Sequence, residues 1–499
     1  MADSHAIREA ADALVAELFQ ELRSQERAVR RRPWRWMELM PYGGQSVTAL
    51  SGYHELEEEL RAAFPTRFEG PIGVRDLTSQ YVWALVDGMV LRAALGHLEF
   101  ELRPADVAAS VAEMLDLARR DHDRAIAARV VTDIKVDTPF YAGAVEIRPV
   151  GNWGLNDAYR DINRFIPGAG PMLDSDIGFR TTGSFNYALL KTDTDAPTGT
   201  RIDSGYSVAS NYALARLETL TSALRLATGA TSQAVVDITS APGHVRLHGP
   251  EIFRHEVARI GMIQRIGHVK PDQAHAVAAL GDRLAAWGGD EQNPLSLGVA
   301  LSRFGRSFQS RPWFDMLVDV AVGLEAALLG GAEQEEIGLR LRSRAAALLA
   351  TPMDPPAKIY HDIKRIYALR SLVVHGSNPT TKELEAQAYK ISSTERTTWL
   401  GVKWALALDR ARDLLRRAIL ARGFLLDAAR WPAGKAARNF DVDARLIDPA
   451  SREEWRLSWR SALDGIGLGF AADEAPEAAL EVALPDYPQP PVADSVPEV

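Results

Sequence analysis

Residues 313–329 read Trp-Phe-Asp-Met-Leu-Val-Asp-Val-Ala-Val-Gly-Leu-Glu-Ala-Ala-Leu-Leu. Phe314, Leu317, Val318, Ala321, Leu324 and Leu328 recur every three or four positions, which predicts a helix with a broad apolar face. Gly330 and Gly331 stop it. Glu325 interrupts the run, and a carboxylate there needs a cation or a donor once the helix packs. A shorter helical stretch, 295–308, precedes it through Ser310, Arg311 and Pro312. A second main helix is expected from about 333 to 349, ended by Pro352, and a third from near Pro356 toward Gly376. The fourth begins at Ser392, with Glu395 three residues on as in a capping box, and continues to Arg422 before Gly423. Four main helices with short connections predict an all-α, up-and-down bundle over 294–430.

Upstream, the segment Gly-Gly-Asp-Glu-Gln-Asn-Pro at 288–294 reads as a linker. Before it, 131–293 alternates β-rich stretches (145–150, 179–191, 235–239) with one helix at 208–227, which Gly229 terminates. This predicts a mixed α/β accessory or sensor domain. His244, His248 and His255 lie near its end at a spacing that matches no common ligand pattern, so no metal site is expected. Residues 1–130 read as mainly helical, opening with Ile7, Ala11, Leu14, Leu18 and Leu22 on one face. The run Arg30-Arg31-Arg32-Pro33-Trp34-Arg35-Trp36 reads as a solvated connector with partly buried indoles, ahead of a strand-binding surface. Residues 431–470 form an extension with Trp455 and Trp459 on one helical face. The last 29 residues, 471–499, hold seven acidic side chains, no basic ones and six prolines, the composition of a disordered tail. The fold class expected is α+β and multidomain.

Composition narrows the function classes. The 499 residues carry 57 basic and 66 acidic side chains, a net charge of -9, which argues against indiscriminate coating of nucleic acid. Residues 294–430, however, hold 20 basic and 14 acidic side chains. With no cysteine, disulfides, thiolate metal sites and cysteine nucleophiles are excluded. No run of eighteen uncharged apolar residues occurs, so the expectation is a cytoplasmic protein with no membrane partner.

The third helix ends in Tyr367-Ala368-Leu369-Arg370-Ser371-Leu372-Val373-Val374-His375-Gly376. An Arg with a His five residues on occurs by chance about once in this composition, and Arg92 with His97 is a second instance. Context separates them. Residues 299–308, Leu317, Val318, Asp319, the run Leu324 to Leu328, and Tyr367, Arg370, Ser371, His375 and Gly376 together resemble the Apea-like division of the HEPN superfamily (higher eukaryotes and prokaryotes nucleotide-binding). The resemblance covers roughly 294–422. The helix ending in Ala223-Leu224-Arg225-Leu226 is also similar to the accessory region that often precedes such domains. The resemblance implies a helical bundle that pairs with a second copy, bringing two Arg/His motifs into a cleft that cuts RNA without metal or other cofactor. Many members belong to antiviral defence or toxin systems. Ser371 follows the arginine where active members commonly carry Asn, Asp or His, and Ser is also common there in the Apea-like division.

The residue types suit that chemistry. Arg370 and His375 sit about 140° apart around a helix, so they converge only at its end, where Gly376 stands. A histidine at a helix C-terminus exchanges protons near neutrality, and a fixed guanidinium holds charge building on phosphorus. His375 and Arg370 are therefore the expected catalytic pair, with a 2',3'-cyclic phosphate as product. Glu325 is expected to orient Arg370, with Tyr367 and Ser371 in support. Arg365, Arg412, Arg416 and Arg417 are expected to line a cationic cleft for RNA. The competing expectation is a non-catalytic HEPN module that binds a nucleotide or RNA and serves as a dimerisation scaffold; for Glu325 and Arg370 alone, the plain structural expectation is an ion pair at the core edge that fixes helix packing.

Overall fold

The computed structural model describes residues 4–39, 47–65, 77–96, 100–120, 122–150, 162, 166, 187–197, 202–255, 263–288, 297–309, 312–329, 336–374, 380–391, 400–431, 441–475 and 480–482. Within these the protein is α+β. Helices α1 (Ser4–Leu22), α2 (Glu26–Arg31), α3 (Trp36–Leu39), α4 (Ser51–Ala63), α5 (Leu77–Gly96) and α6 (Pro104–Arg119) open the chain. Ile7, Ala11, Leu14, Leu18 and Leu22 are all fully buried, so the expected face of α1 is the one that packs. Trp36 is buried, joining the apolar cluster that runs from Ile7 to Ala118 and takes in Val245.

Strand β1 (His122–Thr132) starts before residue 130, inside the region expected to be helical. It is followed by β2 (Ile134–Val136), β3 (Phe140–Ala142), β4 (Val145–Pro149), β5 (Tyr187–Pro197), helix α7 (Ile202–Thr228), β6 (Ala234–Ser240), β7 (Glu251–Arg254), β8 (Ile263–Arg265) and β9 (Gly267–Val269). One antiparallel sheet has the order β3-β4-β5-β1-β6-β7. Alternation along β1 sends Ala127 and Val131 to one apolar cluster and Ala128 and Val130 to another, as a strand covered on both faces requires. α7 lies across β1 and β5. It ends at Gly229, whose φ of 72° is the left-handed conformation expected of a terminating glycine.

The remaining elements are α8 (Ala274–Gly288), α9 (Gly298–Arg306), α10 (Trp313–Leu328), α11 (Ile337–Leu349), α12 (Pro356–Val374), α13 (Thr381–Ala388), α14 (Leu400–Asp427), α15 (Val442–Ile447), α16 (Pro449–Gly465) and β10 (Leu480–Val482). α10, α11, α12 and α14 pack against one another, and α9 packs on α10 and α14. Ser392 and Glu395, the expected start of the fourth helix, lie outside the described residues. Its end differs from expectation: α14 runs through Gly423 to Asp427. Gly423 is there for close approach, since a Cβ would stand 2.4 Å from the Trp287 ring. One apolar cluster extends from Ala127 to Ala472, so sheet, α7, α8 and the C-terminal helices share a core across residue 293.

The tail expectation is corrected in part. Ala471, Ala472 and Ala475 are buried, and Leu480–Val482 pairs with β8. Polar backbone in 471–475 is satisfied from α14: Arg416 donates to the carbonyls of Ala471 (2.6 Å) and Asp473 (2.5 Å), and Asp413 accepts from Ala475 N (3.2 Å). Within this segment Glu474 pairs with Arg410 at 3.2 Å and Lys358 at 3.4 Å.

Candidate functional site

Tyr367 and Arg370 stand one turn apart near the end of α12, on the side that meets α10. Glu325, from α10, reaches Arg370 with Oε2 3.4 Å from Nη2. The two side chains are 21% and 24% exposed, so the pair sits at the edge of the core, open enough to meet a ligand. The Arg370 guanidinium carbon lies 5.5 Å from the centre of the Tyr367 ring. Burial raises the Glu325 carboxyl above its usual range, against the opposing pull of Arg370 and a hydrogen bond to Tyr367. Burial, with the Glu325 charge beside it, likewise raises the Tyr367 phenol. Arg370 Nε is buried and makes no hydrogen bond among the described residues. Ser371 and Arg365 are half-buried on the same helix. His375 and Gly376 lie outside the described residues, and α12 is helical up to Val374, directly before them.

Arg412, Arg416 and Arg417 correct the expectation of a cationic cleft. Every residue from 405 to 425 is buried, so these side chains point into protein whichever way they leave α14. They satisfy carbonyls at helix C-termini: Arg412 donates to Ser307 O after α9, Arg416 to Leu226 O near the end of α7 (3.2 Å), and Arg417 to Leu349 O at the end of α11 (3.0 Å). Those carbonyls lack intrahelical partners and sit at the negative end of each helix dipole, where a cation is favoured. Asp413 accepts from Arg416 at 2.8 Å and Arg417 at 3.0 Å, and Asp354 binds both Arg417 (2.5 Å) and Arg410 (2.9 Å). The guanidiniums hold helices together and do not face solvent.

A second constellation was not singled out as a site from the sequence. Arg129 of β1 and Asp237 of β6 are register partners, and the guanidinium closes on both carboxylate oxygens at 2.7 and 2.8 Å. The register shifts immediately afterwards, between Val130 and Val131, a bulge that marks sites where a strand re-aims side chains. Glu218 and Thr221 of α7 also engage Arg129, and His255 Nε2 lies 2.9 Å from Asp237 Oδ2. Burial alone would raise the Asp237 carboxyl, but Arg129 and His255 overcome it and hold it below the usual range. The signal in the sequence was a lone Arg in Ala-Ala-Arg-Val-Val and a lone Asp in Val-Val-Asp-Ile, opposite charges inside two apolar strands. The other two histidines go elsewhere. His248 stacks on Tyr206 with ring centres 4.2 Å apart, and Glu113 accepts from the His244 backbone at 3.1 Å. Among the described residues no three or more His, Asp or Glu side chains are grouped to hold a metal, and no helix is long and apolar enough to cross a membrane.

Compared with family models, with curated proteins and with solved structures, the chain gives no match.

Proposed function

We propose that the chain is an endoribonuclease of the HEPN kind, working without metal and acting as a toxin or antiviral defence effector in the cytoplasm. The observation that carries this reading is the meeting of Glu325, Tyr367 and Arg370 at the end of α12, directly before His375. Arg370, whose side chain is 24% exposed, would bind the phosphate and hold the charge of the pentacoordinate transition state. Glu325 fixes the guanidinium from behind. His375 would take the proton from the 2'-hydroxyl or deliver one to the leaving 5'-oxygen, which breaks the phosphodiester to a 2',3'-cyclic phosphate and a 5'-hydroxyl. One copy supplies one histidine for two proton transfers, so a homodimer pairing two sites is part of the proposal.

The test is incubation of the purified chain with mixed RNA in chelator. Cleavage ending in cyclic phosphate, lost in His375→Ala and Arg370→Ala, supports the reading. A non-catalytic RNA- or nucleotide-binding scaffold is the second reading, favoured by the ion pair itself, since Glu325 and Arg370 also join α10 to α12. Dimers in sedimentation that bind RNA without cutting it would select the scaffold.

A further inference from the structure

A cavity of about 810 Å³ opens between β1, β6, α7 and α9. Its floor is made by Arg129 and Arg225, each 5% exposed, and its mouth by Glu218, His255 and Arg306, whose side chains are 40 to 52% exposed. Deep cations under a wetted rim are the arrangement of a binding pocket rather than of a packing defect. Gln233, Gln309 and Ser302 add neutral polar groups, and Leu284 and Leu301 an apolar wall.

The charges do not balance. Among the described residues three guanidiniums line the cavity, against Glu218 on the wall, Asp237 behind Arg129, and Asp319 behind Arg306, which Arg303 already holds at 2.6 Å. A fourth, Arg412, backs it: the guanidinium carbons of Arg225 and Arg412 lie 4.7 and 4.4 Å from the centre of the Phe308 ring. Asp409, the carboxylate whose charge acts on Arg412, is already held by Arg265 at 2.5 Å. Burial, partly offset by Glu218 and reinforced by Arg129, pushes Arg225 down to about 10. Burial, partly offset by Asp409 and reinforced by Arg225, pushes Arg412 down to about 9. Arg225 Nη1 comes only to 3.5 Å from Glu218, and Arg306 Nε, 3.8 Å from Asp319, makes no hydrogen bond among the described residues.

We propose that this cavity binds a phosphorylated small molecule of about mononucleotide size, whose phosphate displaces the half-exposed Glu218 from Arg129 and Arg225. The volume lies within the roughly 300–1,000 Å³ range of small-molecule pockets. Planar guanidinium forks match phosphate oxygens two at a time, and several cations converging from different elements suit a multiply charged group. Glu218, the one carboxylate among the described residues that lines the cavity, neutralises the floor through Arg129 and Arg225 while its side chain is 52% exposed.

Isothermal titration calorimetry on the full chain, with pyrophosphate, AMP and ATP as probes and citrate as the non-phosphate polyanion, tests this. Saturable binding of at least one phosphate compound over citrate is expected. Arg306→Gln, at the half-exposed rim, should weaken it about tenfold, equivalent to about 1.4 kcal/mol. Arg225→Gln should weaken it further. Glu218→Gln should tighten it about tenfold, because the competing carboxylate is gone. No saturable binding of any phosphate compound, citrate binding as tightly, an unchanged affinity in Glu218→Gln, or binding lost in Arg370→Ala but kept in Arg306→Gln would each overturn the proposal. RNA cleavage plays no part in the readout, so the nuclease reading stands or falls separately.

Discussion

Arg129 and Asp237 face each other across β1 and β6, and the guanidinium fork closes on both carboxylate oxygens at 2.7 and 2.8 Å with each side chain about 95% buried. Removing one partner of such a pair leaves a charge without compensation, at a cost of about 3–5 kcal/mol. Asp237→Asn keeps the shape and removes the charge. Chemical denaturation of this variant should show a loss of at least about 2 kcal/mol, since Glu218 still partners Arg129. A loss under about 0.5 kcal/mol, within the range of ordinary surface substitutions, would mean that the sheet does not depend on the pair.

Glu325→Gln should separate stability from chemistry. The Glu325–Arg370 pair is about a fifth exposed at 3.4 Å, so its loss should cost no more than about 1 kcal/mol. Orientation of a catalytic group by its neighbour is worth roughly 10–100-fold, and RNA cleavage should fall by about that factor through kcat with KM little changed. Full activity would remove Glu325 from the site.

Asp87 carries a pH dependence of defined sign. Burial raises its carboxyl to about 6, against the opposing influence of the hydrogen bond from Trp36 and the charge of Arg246. The folded state therefore holds this proton more tightly than the unfolded chain, whose carboxyl titrates near 3.8. No cost exists below pH about 4; it grows as pH rises through about 6 and is complete above that. Asp87→Asn abolishes the ionisation, so its melting temperature should exceed that of the parent at pH 8 by several degrees and match it at pH 4. An equal difference at both pH values would show that Asp87 does not titrate in this window.

Ending the chain after Leu468 should destabilise it. Arg416 would lose the Ala471 and Asp473 carbonyls, Arg410 would lose Glu474, and Asp413 would lose the Ala475 amide, all among buried groups. Each buried polar group left without a partner costs about 1–3 kcal/mol, so thermal unfolding should move down by 5 °C or more. An unchanged melting temperature would mean that 469–475 adds nothing to the fold.

The local elements were legible in the sequence because backbone geometry imposes its period on neighbouring residues. The face of α1, the start of α12 at Pro356, the left-handed stop at Gly229 and the burial of Trp455 and Trp459 follow from spacings of a few positions. So did the pairing of Glu325 with Arg370, since a carboxylate inside an apolar helix must find a cation. What the sequence could not tell was where the other cations point. Arg412, Arg416 and Arg417 look like a basic surface when counted along the chain, yet they end on helix C-termini that lie between 68 and 190 positions away. Arg129 and Asp237 are 108 positions apart, each unremarkable in its own strand. Helical and strand periods are set by bonds between neighbours, whereas the partner of a buried charge is chosen by the packing of whole elements, and only the tertiary structure decides that.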